Sequence, residues 1–263
     1  MSTRPEDLKQ LSPSIKERLA AGKVPLAVQQ MVPSLSERGT FLVYGGPGAG
    51  KTWLAGTFPT PFFADMRGGL KTVRHKKIGY FRPTTYMQML QCVAPENLEP
   101  YQTVVLDQGT EACRLLMQEA LFMSQREAPQ LQDWQLVIER FRRIVVALTD
   151  DDGPLKDKHI VVICEEAIEK NEITGSAKML PAVPGKFATE IGSFFDCMFH
   201  LQNVFNPATQ KKGRWLLTEP DGAYDAKDRF NALDKLEVPD FGVIWNKILE
   251  HDKSLMPQAA KLG

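Results

Sequence analysis

Gly45-Gly46-Pro47-Gly48-Ala49-Gly50-Lys51-Thr52 decides how this chain is read. The segment fits G-x-x-x-x-G-K-[ST] at every fixed position, the phosphate-binding P-loop pattern. Its surroundings agree. Thr40-Phe41-Leu42-Val43-Tyr44 is a short apolar run that predicts a strand, and Trp53-Leu54-Ala55-Gly56 can open a helix. The glycines allow successive backbone N–H groups to turn inward around phosphate oxygens without Cβ clashes. A helix N-terminus adds unpaired N–H groups and the positive end of its dipole. The expected roles are Lys51 on the outer phosphates and the Thr52 hydroxyl on magnesium. The competing reading is a glycine-rich turn that matches by chance.

With 263 residues the chain is long enough for one large domain, or for a domain with an appendage. Lys+Arg and Asp+Glu both total 32, so the net charge is zero and nucleic acid cannot be coated by bulk charge; any such contact needs local patches. Cys92, Cys113, Cys164 and Cys197 are far apart and form no C-x-x-C pair. They predict buried thiols in a reducing cytoplasm, not a disulfide or zinc framework. No apolar stretch is long enough to span a membrane, and Met1-Ser2-Thr3-Arg4-Pro5-Glu6-Asp7 has no signal-peptide core. His75, His159, His200 and His251 have no ligand-spaced partners, so no zinc site is expected.

Residues 1–38 are polar and proline-punctuated and predict an N-terminal extension with short helices around Glu6–Ala21 and Leu26–Met31. From Thr40 strands alternate with helices. Strands are expected at Phe62–Asp65, Ile78–Phe81, Thr103–Asp107, His159–Cys164, Phe195–Leu201 and Gly213–Leu217. Helices are expected at Thr84–Val93, Glu111–Met123, Leu131–Leu148 and Phe241–Leu249. Thr103–Leu106 and His159–Cys164 are near-continuous apolar runs, as in strands buried on both faces. The expectation is an α/β fold, a mostly parallel sheet flanked by helices, with phosphate ligands at the carboxyl ends of the strands. The boundaries read as an extension at 1–38, a core at 39–250 and a tail at 251–263.

Asp107 ends an apolar strand after the P-loop. That is the position of a Walker B aspartate, which holds magnesium directly or through water. Alone it would be an ordinary helix-capping aspartate; the inference needs the P-loop as well. The expected cofactors are ATP and Mg2+.

The ordered motifs resemble the RecA-like P-loop NTPase core and, more closely, the phage ATP-binding proteins of the Sak-four type, a short RecA-related recombinase group. The resemblance covers about residues 40–250. It rests on VYGGPGAGKTWLAGTFPTPFF (43–63), FADMRGGL (63–70), YQTVVLDQGTE (101–111), KHIVVICEEAIEK (158–170), GSAKMLPAVPGKFATEIGSFFDCMFHL (175–201) and AYDAKDRFNALDKLEVPDFGVIWNKI (223–248). It implies ATP hydrolysis, single-stranded DNA as partner in phage recombination or annealing, and assembly with copies of itself into a ring or filament. A single-strand-binding protein is a further implied partner, and the host cytoplasm the implied location. The rival readings are a replication motor or loader, a nucleotide-gated interaction protein with little hydrolysis, and, more weakly, a small-molecule kinase.

The sequence departs from the pattern at Arg67, where relatives carry a glutamate that orients water; an arginine cannot act as a general base. Glu165 and Glu166 stand where relatives often carry a polar sensor. Either can position water instead, or both are surface carboxylates at a strand end. By resemblance, Lys227 and Arg229 reach the γ-phosphate of an adjacent subunit, the alternative being a solvated loop. Glu166–Gly185 lies where RecA-like proteins carry a mobile DNA-binding loop, with Lys170, Lys178 and Lys186 as phosphate contacts. Lys211, Lys212 and Arg214, and the cluster Arg67, Lys71, Arg74, His75, Lys76 and Lys77 near Tyr80 and Phe81, are further DNA candidates or solvated faces. Arg140, Arg142 and Arg143 are read as the wet side of an amphipathic helix.

Overall fold

The computed structural model describes residues 34–170, 175, 177–206 and 211–256; the helices expected within residues 1–33 lie outside them. In chain order the elements are β1 (Thr40–Tyr44), α1 (Lys51–Ala55), β2 (Pro61–Asp65), β3 (Gly79–Phe81), α2 (Tyr86–Cys92), β4 (Thr103–Asp107), α3 (Gly109–Ser124), α4 (Leu131–Thr149), β5 (His159–Cys164), β6 (Glu166–Lys170), β7 (Ala177–Pro181), α5 (Phe187–Glu190), β8 (Cys197–Asn206), β9 (Lys211–Leu217), β10 (Lys227–Asp228), β11 (Leu236–Glu237) and α6 (Phe241–Leu255). The last helix runs past residue 250, across the boundary expected there.

The main sheet has the order β11-β9-β8-β1-β5-β4-β2-β3, with β10 on β8. From β8 to β3 all neighbours are parallel; β9, β10 and β11 add antiparallel. β1, β2, β4 and β5 are buried along their whole length, which is why their sequences are apolar without alternation. Their side chains still divide by parity. Leu42, Tyr44, Leu106 and Val162 face a core with Met89, Leu116 and Phe141 of α2, α3 and α4. Phe41, Val43, Val105 and Val161 face the other, with Leu54 of α1 and Ile244 and Ile248 of α6. The result is the α/β architecture expected, a mostly parallel sheet between two helical layers.

Local signals fix the helix starts. Thr85 accepts from Gln88 N at the head of α2, and Asp240 from Val243 N at the head of α6. Gln130 and Asp133 form a reciprocal capping box on α4. All four cysteines are buried and free. No described helix is long and apolar enough to cross a membrane.

Three features differ from the sequence reading. The stretch expected as one long polar loop contains an antiparallel hairpin, β6 on β7, with Glu166 opposite Pro181 and Lys170 opposite Ala177. β6 is exposed along most of its length and β7 is buried only at Leu180 and Pro181, so no sustained hydrophobic alternation marks the ribbon and its sequence resembles a loop. The arginine face of α4 is only partly wet. Arg140 is bonded to Glu119 and lies over Tyr86, and Arg142 reaches Glu190 and covers Phe187. Trp134, expected among the apolar positions of α4, is instead 42% exposed.

His159 shows how the core responds to pH. It is buried against Phe241 and Trp245, and its Nδ1 accepts from Gly39 N at 3.1 Å. Burial, with Arg38 nearby, pushes its pKa down to about 4. The unfolded chain takes up this proton near pH 6.5, so stability is full above that value and falls as pH drops towards 4. His200 is also held low by burial and acts in the same direction. Asp107, raised to about 6, acts in the opposite one. In an Asp107→Asn background, denaturant unfolding should therefore show a loss of about 2 kcal/mol between pH 7 and pH 5. The wild type should lose clearly less.

Candidate phosphate and metal site

The P-loop leaves β1 at Tyr44 and enters α1 at Lys51, at the carboxyl end of the parallel strands. Its path depends on glycine at Gly45, where a Cβ would sit 2.3 Å from the Leu201 carbonyl oxygen. Gly50, at φ +109, carries the turn into the helix beneath the Arg214 side chain. Lys51 is 7% exposed. Its Nζ donates to the carbonyls of Gly45 at 2.7 Å and Gly46 at 2.9 Å, so the loop's own backbone holds the ammonium in place. Burial lowers its pKa, while Glu165 and Asp107 act against the shift.

Thr52 and Asp107 meet across the strand ends, with Thr52 Oγ1 donating to Asp107 Oδ2 at 3.0 Å. The other carboxylate oxygen, Asp107 Oδ1, is buried with no partner. Burial is the main reason the Asp107 pKa rises to about 6, with a further push from Asp65. Two hard oxygen ligands, one of them buried without a partner, suit Mg2+ that brings its remaining ligands from water and phosphate. No cluster of three or more His, Cys, Asp or Glu able to hold a metal occurs among the described residues, so a cation here has to complete its coordination from elsewhere. Asp65 is not available for that. Its Oδ1 accepts from Gly68 N and Gly69 N, and its Oδ2 from Arg82.

A cleft of about 570 Å³ opens here, lined among others by Lys51, Thr52, Arg67, Gln108, Glu165 and Arg214. Glu165 faces the cleft with Oε1 held by Arg67 at 3.0 Å. Glu166 turns to the other side and bonds His200 Nε2 at 2.8 Å, and its Oε1 would lie 3.1 Å from a Cβ on Gly46. His200 is stacked on Tyr224 at 4.0 Å. The structure therefore brings Lys51, Thr52, Asp107, Glu165 and Glu166 around one P-loop.

Of the other sequence candidates, Arg67 and Arg214 also line this cleft, while Lys227, Arg229, Lys178 and Lys186 do not. β10 pairs with β8 at Met198 and Cys197, so Lys227 and Arg229 stand towards the amino-terminal end of the parallel strands, away from their own P-loop. Lys227 Nζ donates to the carbonyls of Gly192 and Phe195, and burial lowers its pKa. Arg229 donates to Ser193 O and faces Asp196. Lys178, on the hairpin, is paired with Asp225 at 2.8 Å, and Lys186 is exposed just before α5. Lys211 and Lys212 begin β9, and their side chains lie outside the described residues. Within the basic cluster, Lys76 is used internally, donating to Gly56 O and lying over Trp53.

Sequence reasoning missed Gln108. β4 ends at Asp107 and α3 begins at Gly109, so this single residue makes the whole turn. Its backbone has φ 116 and ψ 100, in a region that side chains rarely occupy. Its Oε1 is buried without a partner beside the cleft. Such strain costs about 1–3 kcal/mol and gathers at functional positions. Gln108→Gly should raise stability by about 1 kcal/mol after the extra glycine entropy is subtracted, while weakening whatever the carboxamide does in the cleft. Urea denaturation beside nucleotide titration measures both.

Residues 38–230 match the model of a family described as an AAA domain. No curated protein matches the chain. Among solved structures it is similar to a KaiC-like protein from Pyrococcus horikoshii OT3, at 14% identity and TM-score 0.38, over 68% of this chain and 77% of that one. It is also similar to the flagellar accessory protein FlaH from Methanocaldococcus jannaschii, at 8% identity and TM-score 0.38, over 68% and 76%.

Proposed function

Because the chain belongs to the AAA-domain family, we propose that it binds Mg-ATP in this cleft, hydrolyses it, and acts with copies of itself on single-stranded DNA in recombination or annealing. The observation that carries the nucleotide part is the unpartnered Asp107 Oδ1 beside the Thr52 hydroxyl, next to a lysine held in the P-loop by its own carbonyls. Bound magnesium would neutralise phosphate charge. Lys51 and the P-loop amides would hold the phosphates, and Glu165 would orient water at the cleft wall. The DNA part is supported by the resemblance in motif order and by the exposed hairpin that starts at Glu166 and carries Lys170 and Lys178. Phage origin, a ring or filament, and a single-strand-binding partner belong to the same reading.

One observation favours the rival nucleotide-gated protein with little turnover: Arg67 occupies Glu165. The deciding experiment is ATP hydrolysis by purified protein with and without single-stranded DNA, beside Lys51→Ala. DNA-stimulated turnover that disappears in the variant is the expected result. Turnover indifferent to DNA would favour a motor or loader, and ATP binding without turnover would favour the gated protein.

A further inference from the structure

We propose that Arg67 distinguishes a nucleoside triphosphate from a diphosphate, by leaving its carboxylate partners for the terminal phosphate. This rests on the nucleotide-binding reading above and assigns one residue within it.

The position of Arg67 is fixed by a clamped turn. Asp65 Oδ1 accepts from Gly68 N at 2.7 Å and Gly69 N at 3.1 Å, and Arg82 holds the second oxygen at 2.8 Å. That turn lies beside the metal end of the cleft. A Cβ on Gly69 would lie 3.8 Å from Asp107 Oδ2 and 4.0 Å from Thr52 Oγ1. Thr52, Asp107 and Lys51 mark where the outer phosphates sit. The Arg67 side chain lines this same cleft and is 57% exposed, so its guanidinium can swing without unpacking the core.

Its present partners can release it. Arg67 Nη1 lies 3.0 Å from Glu165 Oε1 and 3.3 Å from Glu111 Oε1. Arg114 faces the same two carboxylates, bonding Glu111 and standing 3.6 Å from Glu165. When Arg67 leaves, Arg114 remains to balance them. Arg67 keeps its own side of these pairs in solvent, although Glu165 and Glu111 are 23% and 19% exposed. Ion pairs open to water are weak, whereas arginine on phosphate makes paired, charge-assisted hydrogen bonds. A triphosphate therefore draws Arg67 across, and a diphosphate offers it nothing to reach. The exchange also frees Glu165 Oε1 to face the cleft.

The test is calorimetric titration of wild type, Arg67→Ala, Arg67→Lys, Glu165→Gln and the Arg67→Ala/Glu165→Gln double variant. The probes are ADP and the non-hydrolysable β,γ-imido analogue of ATP, both with magnesium. Arg67→Ala should weaken the triphosphate analogue about tenfold and leave ADP within about twofold. Arg67→Lys should keep part of the preference. Glu165→Gln should tighten the triphosphate several-fold, because the competitor for Arg67 has lost its charge. The double variant should behave as Arg67→Ala alone. Equal losses for both nucleotides in Arg67→Ala, or a triphosphate weakened by Glu165→Gln, would overturn the proposal while the nucleotide site stands. Wild type that binds neither nucleotide would overturn both.

Discussion

Gly45→Ala will destabilise the protein by about 4 kcal/mol or more, enough to leave little folded chain at 37 °C. The new methyl carbon would be placed 2.3 Å from the Leu201 carbonyl oxygen, well inside contact distance. Neither side can retreat. Leu201 lies in β8, which is held by β1 on one side and β9 on the other, and Gly45 follows Tyr44, the buried last residue of β1. Gly48→Ala is the matched control. It has φ +74 but nothing within 4 Å of the added carbon, so it should cost only the left-handed backbone penalty of about 1–2 kcal/mol. Denaturant midpoints of the two variants separate these effects. The first glycine of this P-loop is thus required by sheet packing as much as by phosphate. Equal midpoints for the two variants would show that reading to be wrong.

Asp107→Asn should stabilise the metal-free protein and abolish its response to magnesium nucleotide. At pH 7.5 the wild-type carboxylate is ionised inside a buried site, with one oxygen unpartnered and its pKa raised to about 6. A raised acid means that the folded state holds the proton more tightly than the unfolded one. Stability is therefore lost as pH rises from about 4 through 6, by about 3 kcal/mol in total. Asparagine removes that cost and still accepts from Thr52. A gain of about 1–3 kcal/mol is expected in EDTA at pH 7.5. Adding magnesium and nucleotide should then raise the melting temperature of the wild type and leave the variant unmoved, binding being weakened about 100-fold or more. A variant less stable than wild type in EDTA would mean that the carboxylate is not strained in the apo state.

Much of the fold was legible because its signals are local. Thr103–Leu106 and His159–Cys164 are apolar on both faces, which only a central strand requires, and the P-loop glycines flag a turn that most side chains cannot make. Asp107 could be placed because a strand end after a P-loop is a restricted position. What stayed hidden depends on contacts between distant residues. Arg67 was visible as a departure, but its pairing with Glu165 bridges residues far apart in sequence. Gln108 carries no signal of its own; its strain follows from a strand and a helix that leave one residue between them. Lys227 is expected to reach an adjacent subunit's γ-phosphate or to lie in a solvated loop, yet its ammonium turns inward to two carbonyls of its own chain. The hairpin escaped because Glu166–Lys170 is mostly exposed, so no burial pattern marks it.

The fastening of that hairpin has a mechanical consequence. Its first strand begins at Glu166, directly after Glu165 in the cleft wall. Its second strand is bolted at Met179, whose carbonyl accepts from the Tyr44 hydroxyl at 3.1 Å and whose N–H reaches Ala223 O. Tyr44 is the residue before Gly45. Both strands of the hairpin are thus attached to the frame of the cleft, one through Glu165 and one through the Tyr44 hydroxyl. Displacing β7 would break the Tyr44–Met179 bond beside the P-loop, and displacing β6 would move the residue covalently joined to Glu165.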